Sequence, residues 1–438
     1  MRKKYLKTAG ICAGCAALLF AGGCTAGKRP ETSQPVAEKI LETSIPGFLP
    51  DYWYAGDQGR KPQVRRQYSQ SNCWAVASAS ALEAALLPQT KMSFSPDHFV
   101  FRNAFTVDPQ KGGSYYMAMA YLSSWQGPVT DEQDPYGDRQ SPPGLSPAVH
   151  VQEIRLFEEA QERQLKEAVM KYGAVQASLR LDKEETEVDS PYYNEMTAAY
   201  YYPHTELQNH DIVILGWDDS YSRFLFREIP QRDGAFICQN SWGEEFGQDG
   251  IFYVSYEDAN LGVMAAAYSR VEPADNYDRI YQADDCGWQS SLGYGSETCW
   301  FANVYTAQEA ESLQAAGFYA TGKNTRYQVY LAHDFTDTGS FETMELLTEG
   351  SFTDAGYYTV DFTQEIPLDP GERFALAVRM KVPHSASPAA AEYAKDADTQ
   401  NVVLSGKESY LSRTGAEWQN TQEEFAANIC LKAYTDLR

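Results

Sequence analysis

The apolar and polar residues of this chain follow two patterns, and the change from one to the other falls near residue 273. Before it, long apolar runs of helical length alternate with short apolar runs that end at glycine or polar residues. After it, short alternating runs are separated by clusters of glycine, aspartate and threonine, which is typical of an antiparallel β-sandwich. The chain is therefore predicted to be α+β over 46–272 and all-β over 273–438.

Four helices are predicted in the first region. The run from Cys73 to Leu87 has three polar residues and no glycine or proline, so it should form a largely buried helix with Asn72 as its N-cap. Ser95 followed by Pro96 is a typical start for a second helix. The other two cover Tyr115 to Trp125 and an apolar stripe of Leu165, Ala168, Val169 and Tyr172 that ends at Gly173.

Strands are predicted from the remaining apolar runs. In the first region they are Ala174 to Leu179, Ile212 to Trp217, Ala235 to Gln239 and Ile251 to Tyr256. In the second region they include residues 316–319, 327–331, 357–362, 373–378 and 429–434.

Four residues scattered along the first region carry the groups that a cysteine hydrolase needs. Cys73 stands at the first turn of the predicted helix, where the helix dipole and unpaired N–H groups favour the thiolate that attacks. His210 leads one predicted strand and Asn240 ends the next, so imidazole and amide could lie side by side. Asn240 would then fix the tautomer of the ring, and Gln67 with the N–H of Cys73 would form an oxyanion hole.

On these motifs the first region resembles the papain family of cysteine peptidases. Gln67, the Cys73-Trp pair, His210 and the Asn240-Ser-Trp-Gly block occur in the family's order. The 137 positions between Cys73 and His210 lie within the family's range of about 130 to 150. The resemblance implies a helical lobe, a β-rich lobe and a substrate cleft between them. It also implies that these residues are the oxyanion donor, nucleophile, base and orienting amide.

The same resemblance implies where substrate binds. Gly112 and Gly113 would line the cleft with backbone, Asn209 would contribute to its wall, and Trp242 would cover the bond between His210 and the orienting amide.

Three residues depart from the family's pattern. Gln70 and Gln110 stand where the family usually has two disulfide-bonded cysteines, which indicates that this disulfide has been lost. Asp211, directly after the histidine, replaces a small or apolar residue. If the strand alternates, this carboxylate faces away from the cleft. If it does not, it would hold the imidazole protonated and shift the pH profile upward.

The N-terminus predicts export. Residues 1–24 read as a signal peptide: Arg2, Lys3, Lys4 and Lys7 precede an apolar run from Ile11 to Phe20 and the block Ala21-Gly-Gly-Cys24. The block resembles a bacterial lipobox, which would lipidate Cys24 and hold the protein at the outer face of the cell membrane. Ordinary cleavage after Gly23 would instead release it. Residues 25–45 are predicted to form a flexible linker.

Composition narrows the classes of function that remain. The formal net charge is −24, which disfavours nucleic-acid binding. Neither a cofactor motif nor metal-ligand spacing is found. Cys286 and Cys299 are close enough in sequence to form a disulfide, whereas Cys238 and Cys430 look like buried thiols, and the pairing is left open.

The second region resembles the lectin-like domain that follows papain-type domains in some bacterial and archaeal surface proteins. The resemblance rests on Tyr277 to Tyr281, Trp300 to Tyr305 and the strand runs that follow. Two interpretations stand: binding of cell-surface carbohydrate, or a purely structural sandwich whose aromatics form its core.

The sequence thus predicts an exported thiol endopeptidase of peptide or protein substrates. Three different functions are compatible with part of the pattern. A peptidoglycan-cleaving Cys-His amidase would share the nucleophile and base without requiring Gln67 or the Asn240 block. A transglutaminase-like acyl transferase would release ammonia from glutamine. A non-catalytic adhesin would use the β domain alone, and Asp211 would then mark a decayed site.

Overall fold

The computed structural model describes residues 47–438 except 69, 184–189, 395–396, 405 and 407. The predicted signal peptide, Cys24 and the linker 25–45 lie outside the described residues. The described helices are α1 Cys73–Leu86, α2 Pro96–Phe101, α3 Tyr115–Ser123, α4 Glu162–Tyr172 and α5 Thr421–Phe425. None of these helices is long and apolar enough to cross a membrane.

The strands of the first region are β1 Tyr52–Tyr54, β2 Val149–Glu158, β3 Val175–Leu179, β4 Tyr193–Asn194, β5 Ala199–Tyr200, β6 His210–Asp218, β7 Ala235–Gln239, β8 Ile251–Ser255 and β9 Met264–Pro273. Those of the second region are β10 Arg279–Tyr281, β11 Ser290–Leu292, β12 Thr298–Thr306, β13 Glu311–Ala320, β14 Thr325–Ala332, β15 Glu345–Phe352, β16 Ala355–Asp361, β17 Pro367–Leu368, β18 Arg373–Lys381, β19 Ala389–Tyr393, β20 Ser409–Ser412, β21 Gln419–Asn420, β22 Ala427–Ile429 and β23 Leu431–Leu437. The predicted α+β class with a following antiparallel sandwich is confirmed.

Helix α1 is the centre of the first region. Every residue after Cys73 is buried, because the run of alanines lets neighbouring elements approach closely. Its two polar contacts are satisfied inside: Glu83 forms an ion pair with Arg65 at 2.6 Å, and Ser78 donates to Gln176 of β3 at 2.8 Å. The helix is therefore joined to β3 through Ser78 and to the chain segment before it through Glu83 and Arg65.

The sheet of the first region runs in the order β2-β9-β3-β6-β7-β8. Strand β6 pairs with β3 on one side and with β7 on the other, so Leu179 lies opposite His210 and Gln239 lies opposite Val213. Because β7 ends at Gln239, the residue that follows it emerges at the same end of the sheet as the start of β6.

The second region is a sandwich of two antiparallel layers. One is a six-stranded sheet in the order β15-β14-β18-β12-β20-β21, and the other contains β10-β23-β13-β16. Their facing side chains form a common apolar core, which includes Phe301, Phe318, Val329, Leu376 and Leu431.

The two regions share one sheet. Strand β16 of the second region pairs with β2 of the first, so a 14-stranded sheet runs through both. The close approach requires a glycine: Gly356 has φ +143°, and a Cβ there would lie 2.0 Å from the carbonyl oxygen of Ile154. Arg155 adds an ion pair to Asp354 at 3.4 Å. The hydrophobic pattern predicted two domains but gave no sign of this shared ladder.

Five cysteines of the described chain are free. Cys286 and Cys299 form no disulfide, which decides the pairing that the sequence left open. Cys299 faces the core of the sandwich from β12, while the N–H of Cys286 bonds to Glu392, and each thiol is buried in its own surroundings. Cys238 and Cys430 are buried thiols as predicted.

Candidate active site

Cys73 is the first residue of α1 and remains partly exposed. Backbone N–H groups of Asp211, Trp74 and Cys73 itself face its sulfur and act to lower the pKa of the thiol. Asn72 occupies the N-cap position, but its side chain does not cap the helix, because it donates to Gln70 at 3.1 Å instead. The sulfur therefore lies at a helix start and against the first residues of β6.

His210 and Asn240 lie side by side and share a hydrogen bond. His210 Nε2 lies 2.7 Å from Asn240 Oδ1, at the end of the sheet where β6 begins and β7 has just ended. The N–H of Ser241 donates to the same oxygen at 2.7 Å, which fixes the amide's orientation. Since an amide oxygen only accepts, Nε2 carries the proton and Nδ1 is the basic nitrogen. The Trp242 ring, 5.3 Å away between centroids, covers the pair.

Gln67 is held by two contacts within the site. Its Oε1 accepts from Ser241 Oγ, and its Nε2 donates to the carbonyl of Gln70 at 2.7 Å. An amide nitrogen carries two hydrogens, so one donor of Gln67 is left for a substrate oxygen. Gln70, which replaces a family cysteine, thus anchors the predicted oxyanion donor.

Burial keeps both reacting groups neutral at rest. It raises the pKa of the Cys73 thiol to about 12, and the Asp211 carboxylate raises it further, while the surrounding N–H groups oppose the shift. Burial also lowers the pKa of His210 to about 4 against the opposing hydrogen bond to Asn240. The expected resting thiolate is therefore not favoured, because the desolvation of a single charge outweighs the effect of the helix end.

Asp211 faces away from His210, which is the orientation expected for an alternating strand. Its oxygens accept from Ser178 Oγ at 2.6 Å and Gln176 Nε2 at 3.0 Å, both on β3. Gln176 also donates to the carbonyl of Trp74, which links the carboxylate to the first turn of α1. Asp211 therefore raises the pKa of the thiol and does not hold the imidazole protonated.

The predicted substrate-binding glycines lie beside the start of α1. A Cβ on Gly112 would meet the carbonyl of Ser71 at 3.4 Å, and one on Gly113 would meet the Trp74 indole at 2.6 Å. Gly113 is exposed, so its backbone is open to a ligand. Asn209 is also exposed, but both ends of its amide bond to the backbone of Leu181.

A cavity of 430 Å³ next to these glycines was not predicted. It is lined by Ser114 and Met117 of the first region and by Trp288 and Gln289 of the second. No local motif could have indicated it, because its two walls are far apart in sequence. Within the described parts of the chain, no cluster of three or more His, Cys, Asp or Glu could hold a metal ion.

Comparison with known families agrees with both regions. The family model described as Papain family cysteine protease matches residues 49–271, about half of the chain. The model described as Lectin like domain matches residues 280–435.

The curated relatives match the first region alone. Mouse cathepsin J is 23% identical over 237 residues, which are 50% of this chain and 64% of the relative. Mouse cathepsin K is 24% identical over 243 residues, 50% of this chain and 68% of the relative. The chain therefore spans about two thirds or less of the length of these relatives.

A solved structure matches both regions. It comprises the cysteine protease and lectin-like domains of Cwp84, a surface layer associated protein of Clostridium difficile. The identity is 23% and the TM-score 0.76, over 91% of this chain and 91% of the other. At this identity the likeness establishes the fold.

Proposed function

The chain belongs to the papain family of cysteine proteases, which are cysteine-type peptidases, and a lectin-like domain follows the peptidase region. We propose that it is a cell-surface thiol endopeptidase. Cys73 is the nucleophile, His210 the general base and acid, Asn240 the residue that orients it, and Gln67 an oxyanion donor. The hydrogen bond of 2.7 Å between His210 Nε2 and Asn240 Oδ1 carries the proposal, because it leaves Nδ1 to accept the thiol proton.

The reaction follows from the protonation states at rest. The proton of the Cys73 thiol passes to His210 Nδ1, and the pair of opposite charges formed together costs less than either charge alone. The thiolate attacks the scissile carbonyl carbon, and the developing oxyanion accepts from the Cys73 N–H and the second hydrogen of Gln67 Nε2.

The leaving group and the water need the same histidine. The imidazolium of His210 gives its proton to the departing amine, which leaves a thioester on Cys73. Water then attacks the thioester as His210 takes its proton, and the thiol is restored. Peptide or protein is thus the substrate, and no cofactor is needed to balance the steps.

The surface location rests on two observations. The first is the predicted lipobox at Cys24, and the second is the likeness to Cwp84, which is a surface layer associated protein. A lipid anchor on Cys24 would hold the peptidase at the outer face of a bacterial membrane. Labelling of whole cells with a lipid precursor, with and without Cys24→Ser, tests the anchor.

Digestion of a peptide library tests the activity. The native protein should cleave internal peptide bonds, and Cys73→Ala should not. Cys238→Ala is a matched control because it removes a buried thiol from β7 and should cleave like the native protein. Equal cleavage by the native protein and Cys73→Ala would contradict the assignment.

A thiol-reactive epoxide separates the peptidase from the competing functions. Among the five free cysteines of the described chain, Cys73 alone is partly exposed, so a single label is expected there. No label would favour the non-catalytic adhesin. Cleavage of muropeptides but not casein would favour the amidase, and release of ammonia from glutamine with amine incorporation would favour the acyl transferase.

A further inference from the structure

The outer face of the six-stranded sheet is divided into a covered half and an open half. Over the covered half, Phe341 and Trp418 stack at 4.1 Å between ring centroids and pack with small residues of the sheet, among them Ala375 and Ala377. Along β18 the side chains alternate between the two faces, so the outward positions 379 and 381 continue the same row. Both are exposed, since no segment of the described chain covers them.

The open half contains a groove of 550 Å³ between β14, β15 and β18. This volume lies in the range of small-ligand sites, about 300 to 1,000 Å³. Three cationic residues, Arg326, Arg379 and Lys381, line it together with one carboxylate, Glu349, and a second carboxylate, Glu297, is paired with Lys381 at its edge. The formal net charge of the whole chain is −24, so a patch with more cationic than anionic side chains is locally opposite in charge and is complementary to an anion.

The polar side chains of the groove are held in place by one another. Arg379 Nη1 donates to Gln328 Oε1 at 3.0 Å, and Gln328 Nε2 donates to Glu349 Oε2 at 2.8 Å. Lys381 is paired with Glu297 at 3.7 Å, and because its ammonium group carries three hydrogens, the others are available to a ligand. A guanidinium fixed on a rigid sheet binds with little loss of conformational entropy.

An aromatic surface adjoins the charged one. Trp300 of β12 lies opposite Arg379 in the ladder, with its ring centroid 6.0 Å from the guanidinium carbon and 5.1 Å from the Tyr330 ring. Trp300 is half-buried: Gly415 lies against its indole ring, where an added Cβ would come within 2.9 Å, and the residue keeps part of its surface open to solvent beside the groove. A bare anion needs no such ring, whereas the apolar face of a sugar packs on an aromatic ring while its polar groups bind donors.

We infer that this groove is a binding site for an anionic saccharide. Its carboxylate or phosphate groups bind Arg326, Arg379 and Lys381, and its sugar face packs on Trp300. The site lies in the second region and uses none of the residues around Cys73, so it operates whether or not the chain cleaves peptides.

Binding is measured by calorimetry on the full chain carrying Cys73→Ala, which prevents digestion of peptide ligands. The probes are polygalacturonate, whose charges are carboxylates, and a glucosylated glycerol-phosphate teichoic acid, whose charges are phosphates and whose glucose units supply a sugar face. Neutral dextran and polyglutamate, a polyanion without sugar, are the comparisons. At least one acidic saccharide should bind about tenfold or more tightly than both comparison polymers.

Variants locate the site. Arg379→Gln and Lys381→Gln should each weaken binding of the acidic saccharide about tenfold, and Trp300→Ala should weaken it similarly. Arg373→Gln is the matched control: it removes the same charge from an exposed position of β18 outside the groove, and binding should be unchanged. Near-UV circular dichroism verifies that each variant keeps its tertiary packing.

The outcomes separate clearly. Stronger binding of polygalacturonate or of teichoic acid identifies which anionic group is preferred, and both support the inference. Binding of polyglutamate as tight as that of the saccharides, no binding of either saccharide, equal binding of dextran, or equal losses in Arg373→Gln and Arg379→Gln would each overturn it.

Discussion

The Cys73 site and the groove on the outer sheet face both hold polar groups on rigid strands, but those of the first are buried and those of the second are exposed. In the first, His210 and Asn240 are buried and hydrogen-bonded to each other, and burial lowers the pKa of the imidazole and so disfavours its charged form. In the second, Arg379 and Lys381 are exposed and their charges are retained. Chemistry that creates charge during a reaction benefits from a desolvated site, whereas capture of a charged polymer needs a site that water can reach.

Replacing the base should separate the two regions most strongly. We expect His210→Ala to lower kcat/KM for a peptide substrate by about 10²- to 10⁴-fold, the usual range for a lost general base. Binding of the acidic saccharide should not change, because the groove shares no residue with the site. Steady-state cleavage and calorimetry on the same preparation check this, and a parallel loss of both would mean that the regions are not independent.

The shared sheet can be tested at its tightest point. Gly356→Ala should destabilise the protein by roughly 2 to 4 kcal/mol more than Gly371→Ala. Both glycines have positive φ, but a Cβ at Gly371 meets nothing within 4 Å, whereas one at Gly356 collides with Ile154. Chemical denaturation measures the difference, and equal effects would show that the ladder tolerates the added methyl group.

Replacing Asp211 should have a smaller effect, on the pKa of the Cys73 thiol alone. Because its carboxylate raises the pKa of the Cys73 thiol, Asp211→Asn should lower that pKa, by about one unit. The rate of alkylation of Cys73 would then reach half of its maximum at a lower pH. A profile that stays in place or moves to higher pH would contradict the electrostatic effect of this carboxylate on the thiol.

Buried histidine makes the first region sensitive to acid. Burial lowers the pKa of His98 to about 4 from its ordinary 6.5, so the unfolded chain takes up the proton first. Its contribution to stability is present above pH 6.5 and is lost as the pH falls towards 4. His98→Gln should reduce the loss of stability between pH 7 and pH 5 by about 1 kcal/mol, measured by urea unfolding at both values. An equal loss of stability in His98→Gln and the native protein would contradict this role of His98.

Sequence could predict the first site because each of its residues carries its own local signal. Cys73 opens an unbroken apolar run, His210 leads a strand, and Asn240 precedes a Ser-Trp-Gly block. Periodicity also placed the helices of the first region to within a few residues. The protonation states could not be predicted in this way, because they depend on how much water the folded site excludes.

The groove and the shared ladder have no comparable signal. Arg379 and Lys381 are separated by one residue, as outward positions of any strand are, and Arg326 and Glu349 belong to other strands. The pairing of β2 with β16 joins segments about two hundred residues apart, and only register and the glycine at 356 make it possible. The choice between a disulfide and two buried thiols at Cys286 and Cys299 likewise required three-dimensional proximity.

The ladder between β2 and β16 fixes the orientation of the first region relative to the second. A catalytic unit on a loose tether sweeps out a volume, and its substrates are whatever diffuses through that volume. Here the backbone hydrogen bonds of one sheet join the peptidase to its companion layer, so immobilising the companion also immobilises the peptidase.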